Sequence, residues 1–281
     1  MIFRTKIVRF TPFLLSLLVV APNVVVGQAL NRSFEESTNV EQSNIDGMIQ
    51  RAYIGDGAEQ YNLGYHYFYG KGVQRNFSKA KKWFDLASKS ESPAARYKIG
   101  RLYETGVFYK KDIKQAVLHY EFAASKGEIY ALNNLAILYL TGNGVAQDVP
   151  KGISLAKRSA LKGNAEAQVN LGLVYLNGTG VAVDKVKALQ YFKDAAKQLN
   201  PEGLYYLAQF HLSLQEYVEA FDYFHEAAKL GHSNSQLRLA MLFDKGLGTE
   251  KSQEQSLKWL KESADQGNIK ASKILTSINK K

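Results

Sequence analysis

No cysteine occurs in the 281 residues. That absence excludes disulfides, thiolate zinc sites, iron–sulfur clusters and cysteine nucleophiles together. It also excludes a lipoprotein, because no thiol stands near the cleavage point of the leader described below. Acidic residues are outnumbered, 26 Asp+Glu against 36 Lys+Arg, and no apolar run reaches the roughly 20 residues of a spanning helix. A polytopic membrane protein is thereby ruled out. With 46% hydrophobic and 12% aromatic residues, the chain has enough apolar surface to fold and is not a long disordered polymer.

The familiar chemical motifs are missing too. Five histidines, His66, His119, His211, His225 and His232, form neither HExxH nor a recognisable Ser-His-Asp grouping. His119 and His211 occupy positions where other parts of the chain place core aromatics. Glu216, Glu219, Asp222 and Glu226 lie three or four apart and share a helix face, which reads as a solvated acidic surface. The glycine pairs GKG, GNG and GTG have no preceding strand and no Lys-Ser/Thr, so they are turns and not phosphate loops. No catalytic residue, metal site or cofactor is expected.

At the N-terminus, Arg4, Lys6 and Arg9 precede an apolar stretch from about Phe10 to Val20, and small residues follow near Gly27. Residues 1–27 therefore read as a signal peptide. Its removal takes away three positive charges and lowers the net charge from +10 to +7. The remaining charge is uneven: residues 58–164 carry an excess of nine positive charges, whereas 200–231 hold one Lys against five acids. For an exported chain this implies an acidic partner more readily than nucleic acid. Membrane contact is expected only through the leader if it is not cleaved. A monomer in the periplasm or outside the cell is expected, with the lumen of the endoplasmic reticulum as the alternative.

What the sequence does contain is a repeat. LGYHYFYGKGV, IGRLYETGV, LAILYLTGNGV, LGLVYLNGTGV, LAQFHL and LAMLFDKGLG begin at Leu63, Ile99, Leu135, Leu171, Leu207 and Leu239. A second series begins at Lys79, Gln115, Lys151, Lys187, Glu219 and Gln255 and keeps the same register, 36 residues except for one step of 32. Six units in register predict paired antiparallel helices, A and B, stacked into a solenoid. Helix A carries a small residue (Gly64, Gly100, Ala136, Gly172, Ala208, Ala240) with an aromatic or His three positions on; helix B carries a small start, an apolar pair and a small pair near its end. The small residues predict close helix approach.

These segments, above all AQVNLGLVYLNGTGV from Ala167 to Val181, resemble the Sel1-like repeat family, relatives of the tetratricopeptide repeats. The resemblance implies an all-α, right-handed α-α superhelical solenoid of about six helix-turn-helix repeats over 58–267. It leaves 28–57 as a flexible lead-in with an N-terminal capping helix, and 268–281 as a C-terminal capping helix. The fifth unit departs from the pattern, since His211 to Tyr217 lacks the glycine turn. By the same resemblance helix A lines the concave wall, and its variable columns form the candidate surface for a protein or peptide: Asn62, Lys98, Asn134, Asn170, Tyr206 and Arg238, with Tyr65, Arg101 and Tyr69. Asn at these positions can both donate to and accept from a peptide backbone, and the cations can hold a carboxylate. The implied role is a non-enzymatic scaffold or adaptor. The competing reading, a cell-wall glycan or β-lactam binding or hydrolysing protein, comes from the resemblance alone.

Overall fold

The computed structural model describes residues 44–278. The signal-peptide reading and most of the lead-in lie outside these residues. Residues 44–48 fall to a separate unit with the chain before them, and Ile49 opens the repeat unit. A first helix, α1, covers 44–53. Six A helices follow, α2 (Gly57–Tyr69), α4 (Pro93–Thr105), α6 (Ile129–Thr141), α8 (Ala165–Asn177), α10 (Pro201–Ser213) and α12 (Ser233–Lys245). They alternate with six B helices, α3 (Phe77–Ala87), α5 (Ile113–Ser125), α7 (Val149–Leu161), α9 (Lys185–Ala196), α11 (Tyr217–Lys229) and α13 (Gln253–Asp265), and α14 (Ile269–Ile278) closes the array. Among the described residues there is no strand, and no helix is long and apolar enough to cross a membrane. The fold is an all-α repeat solenoid.

Local chemistry sets the helix boundaries. Asp56, Ser92, Glu128, Asn164 and Asn200 cap the A helices by accepting from backbone N–H groups, and Asn76, Asp112, Asp148, Asp184 and Ser252 do so for B helices. Most A helices end in a glycine in the left-handed region, such as Gly142 at φ 72° and Gly178 at φ 71°. In the fifth unit the glycine is absent and Gln215 takes φ 63° instead, which closes a shorter connection into α11. There Glu216 makes no capping bond, since its carboxylate is engaged by His211 at 2.6 Å.

Five of the six B helices return to the next helix through another left-handed residue: Gly127, Gly163, Gly231 and Gly267, with Leu199 at φ 56° in the fourth unit. In the first unit Glu91 stands at this position and is not left-handed. Accordingly α3 ends two residues earlier than α5 does in register, and it approaches α4 less closely than other B helices approach the following A helix. Gly55, at φ 100°, and the buried Ala52 give α1 the ending of a B helix. The Gln60 amide donates to the Ala52 carbonyl at 3.1 Å, as Gln168 does to Ala160 and Gln236 to Ala228. The stack of interfaces thus starts before the first full repeat.

The core follows from size complementarity between the two helices of one unit. Gly64, Gly100 and Gly172 lie against Phe84, Tyr120 and Phe192; a Cβ on Gly172 would fall 2.7 Å from Phe192 Cδ1. In the third unit Ala136 and Ala156 occupy the corresponding places, and Gly152 receives Leu140 instead. Aromatics three positions after the small residue meet rings of helix B: Tyr103 stacks on His119 at 5.6 Å, Tyr175 on Tyr191 at 5.8 Å and His211 on Tyr223 at 5.4 Å. The histidines therefore fill the core-aromatic column. Successive A helices also touch, α2 on α4 and α8 on α10, to an extent that no two successive B helices match. The face of the A helices on which these contacts lie is termed the inner wall.

Candidate functional site on the inner face of the A helices

The predicted residues stand on this inner wall. Asn62, Lys98, Asn134, Asn170, Tyr206 and Arg238 are each half-buried. In the first two units they are tied together, for Lys98 Nζ donates to Asn62 Oδ1 at 3.3 Å and sits over the Tyr61 ring. Arg101 donates to Tyr97 Oη at 3.3 Å and pairs with Glu104 at 3.5 Å. Tyr65 packs on Tyr69 at 4.5 Å, and Lys71 covers both rings. Asn134 donates to Tyr120 Oη, which itself donates to Glu104 at 2.7 Å. That amide spends a donor on the preceding unit.

The middle of the wall is open. A groove of about 430 Å³ is lined by residues including Ile137, Glu166, Val169, Leu173, Glu202 and Tyr206, together with Asn133, Asn170 and Asn200. A second depression of about 250 Å³ shares Ile137, Asn170 and Leu173 with it and extends along α6 and α8 to Asn177 and Thr179. Asn170 donates to Asn133 Oδ1 at 3.0 Å, and Asn133 donates to Glu166 at 3.3 Å. Asn170 Oδ1 takes no hydrogen bond among the described residues and is left as an acceptor. Tyr206 lies on Phe192 at 4.9 Å and carries the groove floor down to the core. The lining thus alternates amides with aliphatic side chains, the combination that accepts an extended backbone and its side chains.

Glu166 and Glu202 were missed by the sequence reading, although both occupy one column, 36 residues apart. That column lies four residues before the Asn column, so the inner stripe runs one helical turn further toward the N-terminal ends of the A helices than the columns first singled out. Glu202 accepts from His232 at 3.2 Å, which holds its carboxyl below the usual carboxylate range. His232 in turn caps α12, its Nδ1 accepting from the Ser235 N–H. Glu202, His232 and Ser235 are in line, but Ser235 is fully buried and its hydroxyl donates to that same Nδ1 at 2.7 Å. The arrangement is a helix cap that joins two units, with no nucleophile open to solvent.

The acidic run reads as expected from its position: Glu216, Glu219, Asp222 and Glu226 are all exposed on or beside α11. Among the described residues no cluster of three His, Asp or Glu could hold a metal ion.

The Sel1 repeat model matches six successive segments, 60–92, 93–128, 129–164, 165–198, 201–232 and 233–268. The chain belongs to the Sel1 repeat family. It is similar to a Sel1 repeat protein from Oxalobacter formigenes, with 25% identity and a TM-score of 0.74 over 86% of this chain and 99% of the other. It is also similar to c5321, a protective antigen of uropathogenic Escherichia coli strains that displays an SLR fold, with 30% identity and a TM-score of 0.71 over 81% of this chain. This chain spans 50% of that antigen's length. The Cut9–Hcn1 hetero-tetramer of the APC/C shares the fold at 16% identity and a TM-score of 0.57, over 85% of this chain and 46% of the other. No curated protein matches the chain. Repeat folds of the Sel1 kind commonly mediate protein–protein interaction, and extended concave surfaces are what such solenoids bind with.

Proposed function

We propose that this Sel1 repeat protein is an exported, non-enzymatic scaffold that binds an extended segment of a partner protein along the inner wall of its A helices. The observation that carries this reading is the continuous groove across α6, α8 and α10. It combines the exposed Ile137 and the half-buried Leu173 with the spare acceptor of Asn170. Export rests on the basic and apolar start of the sequence. The groove lining carries Glu166 and Glu202 and no cation, so the segment it fits has polar or basic side chains in this stretch.

Leu173→Asp places a charge in the groove centre, and Leu161→Asp places one on an exposed B-helix position, where Leu161 is 88% accessible. Crosslinked pull-down from the extracytoplasmic fraction should lose the partner, by about tenfold or more in recovery, with Leu173→Asp alone. Circular dichroism of both variants checks that each remains folded. An identical partner set for Leu173→Asp and wild type would sink the groove assignment.

A further inference from the structure

The charge of the inner wall inverts at its C-terminal end. In the column that carries Glu166 and Glu202, the next two units place Asn234 and Lys270. A cavity of about 440 Å³ opens there between α10, α12 and α14, lined by Tyr205, Asn234, Leu237, Arg238, Met241, Lys270, Lys273 and Ile274. Its size is within the range of about 300 to 1,000 Å³ typical of small-ligand sites. Arg238, Lys270 and Lys273 face it, and none of the three forms an ion pair among the described residues. Among the described residues no carboxylate lines it. Leu237, Met241 and Ile274 give it an apolar floor, and Ile274 and Met241 are 36% and 37% accessible. Asn234 accepts from Asn268 at 3.1 Å and keeps its own amide N–H groups to donate.

Three uncompensated cations around an apolar floor select a ligand with one anionic end and one apolar substituent. We infer that this cavity binds the C-terminal residue of a peptide, its α-carboxylate held by Arg238, Lys270 and Lys273 and its apolar side chain on Leu237, Met241 and Ile274. A guanidinium matches the two carboxylate oxygens in a planar fork, and two ammonium groups add charge without a second fork. The contrast with Glu166 and Glu202 further along the wall gives a bound chain a direction: carboxylate at α14, amino-terminal side toward α8. The inference deepens the peptide reading above and rests on it only for the peptide nature of the ligand.

The probe is acetyl-Ala-Ala-Leu with a free carboxylate, titrated into the full chain and followed by heteronuclear NMR, alongside the same peptide as its C-terminal amide. Saturable shifts at the cavity are expected for the acid, with the amide at least about tenfold weaker and the acid weakening as salt rises. Arg238→Gln and Lys273→Gln should each erase the preference for the acid, and both residues are accessible enough that the fold is retained. Leu161→Asp, on an exposed B-helix position outside both sites, should leave this binding unchanged. The probe is read at the cavity without the pull-down partner, so failure of the middle groove and failure of this cavity are read separately. Equal binding of acid and amide, no saturable shift, or an acid preference that survives both Gln variants overturns the proposal. So does saturation by decanoate with none by the peptide, which would make the occupant a fatty acid.

Discussion

Replacing Gly172 by Leu should cost about 3 kcal/mol of stability, lower the chemical denaturation midpoint accordingly, and broaden or split the transition. Glycine inside a helix costs about 1 kcal/mol relative to alanine, so its presence in α8 needs a packing reason. The reason is Phe192, which is 4% accessible, lies against Gly172 and stacks with Tyr206. A Cβ alone would collide with the Phe192 ring, and the further carbons of leucine would push α8 from α9. Because units of a solenoid touch only their neighbours, damage in the fourth unit uncouples the two halves of the array. Asn170→Ala, two residues away on the inner wall, removes one half-buried hydrogen bond and should cost under about 1 kcal/mol. Urea titration followed by circular dichroism compares the two. A larger loss from Asn170→Ala would reverse the assignment of packing and inner faces.

The second large effect is a pH dependence that His119→Phe should remove. His119 is buried at 9% accessibility, stacks on Tyr103, and its Nδ1 has no hydrogen-bond partner. Burial, and after it the Arg96 guanidinium, pushes the imidazole down to about 4 from its ordinary 6.5. With the folded pKa depressed, the unfolded chain takes up the proton first. Stability is therefore full above pH 6.5 and falls as the pH is lowered from 6.5 toward 4, by up to about 3 kcal/mol for this one group. Phenylalanine keeps the ring in the column where other units place Tyr191, Tyr223 and Trp259, and it has nothing to protonate. Urea midpoints measured at several pH values should converge for the two proteins near neutrality and separate in acid, with the variant the more stable. Parallel acid limbs would show that His119 is protonated as easily folded as unfolded.

Much of this fold is legible in the sequence because the repeat register is redundant. Six copies of one small residue, each at a fixed distance from one apolar pair, leave little freedom in how A and B helices pair. The substitutions are legible as well, since Gly172 and Phe192 compensate each other in volume where Ala136 and Ala156 do so in the unit before. Less visible were features that need three-dimensional neighbours 30 to 36 residues apart. The Gln198 amide donates to Gln168 Oε1 at 2.8 Å, and Gln266 donates to Gln236 at 2.7 Å, bonds that cross from one unit to the next and do not recur in every copy. The columns singled out on helix A begin one turn after Glu166 and Glu202, which also line the groove. Extending the same register by four residues would have brought in Glu166, Glu202 and Lys270, and with them the change of sign along the wall. In the first unit the aromatic run Tyr61 to Tyr69 turned out to be packed largely on itself and on Phe84, Phe77 and Phe108, with Tyr69 the most open. Aromatic count alone could not tell packing from contact.

The central claim, that a partner segment lies along the inner wall, is tested most directly by site-specific photo-crosslinking. A benzophenone side chain at position 173 lies in the groove, and one at position 186 on α9 replaces Val186, which is 79% accessible. Illumination in the native host should yield a discrete adduct from position 173 and none from position 186. Adducts from 186 with none from 173 would contradict the account.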